Sequence, residues 1–123
     1  MNIHESGEDY LETILKLQEK NGRVRSIDIA RELQYSKPSV SRAMSILKER
    51  GLIEIEERAI SLTEDGKEIA ENIYSRHQFL QRFLEDLGVD EQTAEDDACR
   101  MEHVLSEESY QRLKQFIEMH RNK

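Results

Sequence analysis

The sequence predicts a mainly α-helical protein: an N-terminal winged helix-turn-helix, with one small β-hairpin, followed by an α-helical lobe. Three observations predict it. Charged residues make up 36% of the 123 residues and aromatic residues only 6%, which favours helices over a β-sandwich. Apolar residues recur at three- and four-residue spacing in most of the chain, the period of a half-buried helix. Between Leu52 and Leu62 that period changes to strict alternation, as in strands.

The elements follow in order. Residues 6–20 form a first helix with Tyr10, Ile14 and Leu17 on one stripe and Leu11 and Leu15 beside it. Ser6 is its expected N-cap, Asn21-Gly22 its stop, and Asp9 and Glu12 lie on its polar face. Arg23-Val24-Arg25 is short and can pair as a strand. Residues 26–33 form a second helix, expected to be capped by Ser26. Gln34-Tyr35-Ser36 turns the chain into a third helix over 37–50. Pro38 stands in its first turn, where proline costs no hydrogen bond; Val40, Met44 and Leu47 form its buried stripe, and Gly51 ends it. Two short helices joined by so tight a turn are a helix-turn-helix. Residues 52–56 and 60–62 alternate as two strands around a turn at Glu57-Arg58-Ala59, which makes the wing. Thr63 caps a long helix to about Leu87, with Ile69, Ile73, Leu80 and Leu84 as its stripe, and Gly88 ends it. A fifth helix spans about 90–105. Ser106 caps a sixth, with Tyr110, Leu113, Phe116 and Ile117 along it.

The expected division is 1–71 for the helix-turn-helix and wing and 72–123 for the helical lobe, with the boundary inside the long helix near Asn72. No apolar run approaches the roughly 18 residues that span a bilayer. The first five residues have neither a basic start nor an apolar core, so no signal peptide is expected. A single cysteine forms no internal disulfide and suits a reducing cytoplasm. The net charge of −8 is unevenly spread. Residues 16–50 hold nine Lys/Arg against four acids, whereas residues 85–108 hold ten acids against Arg100 alone. A basic half and an acidic half imply two surfaces with different partners. The basic half suits phosphate; the acidic half concentrates cations or simply stays solvated.

In a helix-turn-helix the second helix enters the major groove and its first residues reach base edges. Those residues are Ser36, Lys37, Pro38, Ser39, Ser41 and Arg42. Arg42 is the strong direct reader, because guanidinium binds guanine O6 and N7 together. Ser39 bonds base or phosphate, and Pro38 offers an apolar contact to a thymine methyl. Ser26 and Ser36, at helix N-termini, suit phosphate, although each serine serves equally as a plain cap. Arg58, at the wing tip, reaches phosphate or the minor groove.

Cys99, Glu102 and His103 stand at i, i+3, i+4, which places thiolate, carboxylate and imidazole on one helix face. That set suits a divalent transition metal rather than Mg²⁺ or Ca²⁺. Other helices offer Asp9 with Glu12, and His77. Each is weak alone: a lone cysteine is more often a small buried apolar residue, a lone histidine is more often packed or solvated, and His4 and His120 near the termini are expected in solvent. Convergence of the three helices does not follow from spacing. A hydrolytic metal site would need a substrate loop, and none is visible, so neither an enzyme nor a small-molecule substrate is expected. Oxidation of Cys99 is an alternative signal that overlaps with metal binding.

The chain resembles the metal-dependent repressors related to the diphtheria toxin repressor and the manganese transport regulator. The resemblance rests on Glu8-Asp9-Tyr10-Leu11-Glu12, Asp28-Ile29-Ala30, Lys37-Pro38-Ser39-Val40-Ser41, Leu62-Thr63-Glu64-Asp65-Gly66, Arg76-His77, and residues 98–105 from Ala98 to Leu105. It implies a homodimer that binds palindromic operators when loaded with Mn²⁺ or Fe²⁺ and represses metal-uptake genes. Carried over position by position, it implies metal ligands at Asp9, Glu12, His77, Cys99, Glu102 and His103. The set is a hybrid: Asp9 matches the manganese type and Cys99 the iron type, and Gln81 and Glu95 occupy two positions of the iron type's ancillary site. Ending at Lys123, the chain resembles the short, manganese-type architecture without an SH3-like domain. Oxygen ligands favour Mn²⁺ and a thiolate favours Fe²⁺ and later metals, with Zn²⁺ or Co²⁺ able to bind more tightly in vitro.

Overall fold

The computed structural model describes residues 5–121, with only the backbone of Glu5 and Ser6. His4 and the expectation attached to it lie outside the described residues. The chain has the order α1 (Glu5–Asn21), α2 (Ser26–Leu33), α3 (Lys37–Glu49), β1 (Ile53–Glu56), β2 (Ala59–Leu62), α4 (Glu64–Asp86), α5 (Glu91–Val104) and α6 (Glu107–Arg121). It forms two compact units, Met1–Asn72 and Ile73–Lys123.

In the first unit α1 buries its apolar stripe: Leu11 and Ile14 are fully buried, and Tyr10, Leu15 and Leu17 nearly so. Each such side chain contributes about 1.5–3 kcal/mol relative to exposure. α1 starts one residue before Ser6, so Ser6 is not its cap, and the Ser6 side chain lies outside the described residues. Glu12 is also buried, at 5% exposure, rather than on a solvated polar face. Asp9 is half-buried.

α2 corrects a second expectation. Its N-cap is Arg25, and Ser26 is the first helical residue. The Asp28 carboxylate accepts from the Arg25 backbone N–H at 2.9 Å and takes the helix start one residue earlier. Gln34 then adopts left-handed backbone, φ 59°, which closes α2 and starts the turn. Ser36 caps α3: its Oγ accepts from the Ser39 N–H at 3.3 Å. Val40, Met44 and Leu47 are buried, as the spacing predicts.

The wing pairs β1 and β2 antiparallel, with Ile53 opposite Leu62 and Glu56 opposite Ala59. The turn is therefore two residues, Glu57-Arg58, not three. Both have positive φ, 50° and 68°, as a two-residue hairpin with right-handed strand twist requires. Val24 bridges to Ile60 and extends the hairpin by one pairing. Thr63 ties wing to helix: its Oγ1 accepts from the Gly66 N–H at 3.1 Å and donates to the Gly51 carbonyl at 2.7 Å. A Cβ on Gly66 would lie 2.0 Å from the Leu52 carbonyl oxygen, so only glycine lets α4 start this close to β1.

In the second unit Ile73 and Leu80 of α4, Ala94 and Ala98 of α5, and Tyr110 and Ile117 of α6 are buried. Ile69, in the first unit, and Leu84 are only half-buried. Phe79 and Tyr110 meet edge to face at 5.8 Å. Asp90 caps α5 and Ser106 caps α6 through backbone N–H groups of their first turns. Phe116 departs from expectation: it is 60% exposed, because Tyr110, Leu113 and Ile117 already use the inward stripe. No described helix is long and apolar enough to cross a membrane.

Candidate metal centre and nucleic-acid interface

The buried stripe of α5 runs Ala94, Ala98, Glu102, at i+4 spacing. Its third member is a carboxylate with 0% exposure. An isolated buried carboxylate is strongly disfavoured, so Glu102 needs partners. Glu102 Oε2 lies 2.8 Å from His77 Nδ1, brought in by α4. Glu102 Oε1 lies 3.3 Å from His103 Nε2, the next residue of α5. The His103 side chain is 1% exposed and that of His77 10%. Each carboxylate oxygen thus faces its own imidazole.

This donor set fits a divalent transition ion. Donor atoms sharing one such ion, at bond lengths of about 2.0–2.2 Å, stand roughly 3 Å apart, the separations observed. Glu102 with His77, or Glu102 with His103, would hold such an ion, which would supply the positive charge that offsets the buried carboxylate.

The second unit thus brings together His77, Glu102 and His103. It places Cys99 one turn earlier on α5, on the same side by spacing but exposed. In the first unit Asp9 and Glu12 share α1, and Glu12 Oε2 lies 3.5 Å from Lys16 Nζ. His120 is exposed, with Nδ1 2.8 Å from the Phe116 carbonyl oxygen.

Sequence reasoning named Arg76 only as part of the Arg76-His77 motif and gave it no role. It is 6% exposed, and its guanidinium donates to the carbonyls of Glu102 at 3.3 Å and Leu105 at 2.9 Å and to the Glu107 carboxylate. It also lies 4.7 Å from the Tyr110 ring centroid. Hydrogen bonds from Gln111 and then Arg76 hold the Glu107 carboxyl below its ordinary range. Burial pushes the Tyr110 phenol up.

On the first unit, Lys37, Pro38, Ser39, Ser41 and Arg42 are all exposed, with Pro38 and Arg42 opposite the buried Val40, Met44 and Leu47 of α3 and the others flanking that stripe. Ser36 Oγ donates to Ser39 Oγ at 2.8 Å, which leaves the Ser39 hydroxyl proton for an external acceptor. Ser26 is half-buried; Arg58 is exposed at the wing tip. Arg23 donates to the Glu57 carbonyl at 3.3 Å and braces that tip.

Residues 2–59 match the N-terminal DNA binding domain of the iron dependent repressors, and residues 63–122 match their metal binding and dimerisation domain. An HTH-type transcriptional regulator of Methanocaldococcus jannaschii is 38% identical over 124 residues, 98% of this chain and 99% of that protein. The transcriptional regulator MntR of Escherichia coli O157:H7 is 38% identical over 114 residues, 92% of this chain and 74% of that protein. The solved structure of the manganese regulator SloR superposes with a TM-score of 0.81 at 27% identity, covering 96% of this chain and 55% of that one. This chain therefore spans just over half the length of that regulator. The chain belongs to the iron-dependent repressor family of DNA-binding transcription regulators, not enzymes, and carries the family's DNA-binding domain followed by its metal-binding and dimerisation domain.

Proposed function

We propose that this chain is a cytoplasmic, metal-activated repressor that binds a palindromic operator as a homodimer and controls genes of metal-ion uptake and homeostasis. The activating ion is Mn²⁺ or Fe²⁺. The observation that carries this reading is Glu102, a fully buried carboxylate with an imidazole at each oxygen. His77, Glu102 and His103 are the proposed central ligands. Asp9 and Glu12 add carboxylates from α1, and Cys99 adds a thiolate. A bound divalent cation supplies the positive charge that neutralises these acids. The chain's own contribution is to hold them ready and, through Asp9 and Glu12, to make the state of α1 depend on that charge. α1 packs on α2 and β2 of the DNA-binding unit, so the ligands on α1 provide the link to DNA. Activation is then a population shift, set by the difference in metal affinity between DNA-competent and incompetent states.

Ser36, Lys37, Pro38, Ser39, Ser41 and Arg42 are the proposed major-groove residues, with Ser26 and Arg58 on backbone phosphate. Oxygen ligands favour Mn²⁺ and the Cys99 thiolate favours Fe²⁺, whereas Zn²⁺ and Co²⁺ can bind more tightly in vitro. The test is operator titration by fluorescence anisotropy, under anaerobic conditions that keep Cys99 reduced. Mn²⁺ or Fe²⁺ raises operator affinity at least tenfold, about 1.4 kcal/mol of coupling. Glu102→Ala and His103→Ala abolish that gain and leave helicity unchanged. A chelated wild-type chain that binds operator as tightly as the metal-loaded one refutes the reading.

A further inference from the structure

Consecutive residues of α4 grip the same residue of α5 from opposite ends. His77 meets the Glu102 carboxylate and Arg76 takes the Glu102 carbonyl. The same guanidinium takes the Leu105 carbonyl and the Glu107 carboxylate. One side chain from α4 thereby joins the last turn of α5, the connection after it and the first turn of α6.

The position of that grip matters. Glu102 and His103 lie in the final turn of α5, where the last four carbonyls lack partners within the helix and the backbone frays first. Arg76 satisfies the Glu102 carbonyl in that turn and the carbonyl of Leu105, the C-cap that follows it. Its charge also sits at the negative end of the helix dipole, where a cation is favoured. Ligands on a fraying turn would have to be ordered at the moment of binding. Ligands on a clamped turn are ordered beforehand.

We propose that Arg76 is a positioning residue for the metal centre: without touching the ion, it clamps the last turn of α5 so that Glu102 and His103 are preorganised to bind. The proposal rests on the metal reading above. Groups that orient ligands in this way typically change metal affinity by 10- to 100-fold when altered.

Arg76→Lys keeps the charge but loses the planar fork that reaches two carbonyls and a carboxylate together. Glu107→Gln leaves Arg76 in place and removes only its charged anchor, on a side chain that is 61% exposed. Both are made in the full chain. Mn²⁺ affinity is measured by competition with a chromophoric chelator, and hydrogen exchange is followed at the amides of residues 102–105 in chelated protein. The expected result for Arg76→Lys is Mn²⁺ affinity at least tenfold weaker and faster exchange confined to that turn. Glu107→Gln gives a smaller loss, about two- to threefold, in the same direction. A purely structural role would lower the melting temperature yet leave Mn²⁺ affinity per folded chain unchanged. Wild-type Mn²⁺ affinity in folded Arg76→Lys overturns the proposal. If Arg76→Lys does not fold, wild-type affinity and exchange in Glu107→Gln overturn it instead. A wild-type chain that binds no Mn²⁺ overturns the metal reading and this proposal together; wild-type binding matched by both variants overturns this proposal alone.

Discussion

Arg42 and Arg58 are both exposed arginines of the DNA-binding unit, yet they answer to different physics. Arg42 extends from the first turns of α3, where we propose that its guanidinium meets base edges. Arg42→Ala weakens binding to the specific operator by about 1–3 kcal/mol and relaxes base preference. Arg58→Ala weakens specific and random DNA to a similar extent, because a phosphate contact carries no sequence. Competition titrations with operator and scrambled duplexes separate the two, and equal loss on both duplexes for Arg42→Ala removes it as a reader. At this scale the sequence was legible for residues whose role follows from their own helix. Glu102 and His103 stood out with Cys99 by their i, i+3, i+4 spacing on one helix, whereas the complete burial of Glu102 emerged only from the structure. Arg76 was not legible, because its carbonyl partners depend on how α4 and the end of α5 come together. Ser26 was misread because Asp28, two residues later, captures the Arg25 N–H and moves the cap.

Among the elements, the wing shows most clearly how sequence specifies shape and where the signal fades. Alternation at 52–56 and 60–62 marked the two strands, and the structure adds Ala59 to the second and sets Ile53 opposite Leu62. The turn was read one residue too long because Glu57-Arg58 lacks the Gly or Asn that usually marks two successive positive φ angles. Such angles cost a non-glycine residue about 1–2 kcal/mol. Replacing Glu57-Arg58 with Asn-Gly therefore raises the urea midpoint while weakening DNA binding through loss of the arginine, so stability and affinity move in opposite directions. Rising affinity in that variant would show that Arg58 makes no DNA contact. The junction after the wing is less forgiving. Gly66→Ala forces a methyl group against the Leu52 carbonyl oxygen, backbone that has little room to yield. It destabilises the chain by about 1–3 kcal/mol, the range for overpacking. Unfolding in urea reads this directly, and an unchanged midpoint would mean that the start of α4 shifts freely.

For the whole molecule, the uneven charge and uneven apolar exposure assign different partners to the two units. Leu87, Val104, Phe116 and Met119 are each more than half exposed, and all lie in the second unit, which matches a dimerisation domain. A unit of about fifty residues buries too little surface alone to be comfortably stable. We expect a two-fold homodimer, by sedimentation at micromolar concentration, and Phe116→Lys with Met119→Lys to shift it toward monomer. A wild-type monomer with and without metal would defeat this expectation. A dimerisation domain also makes assembly subject to mass action. The population of pairs rises with the square of the chain's concentration while single copies predominate, so melting temperature climbs with protein concentration. Operator occupancy at a fixed metal level climbs with it. The abundance of the repressor itself thereby sets the metal concentration at which its genes fall silent, and a cell can retune the threshold without altering a single ligand.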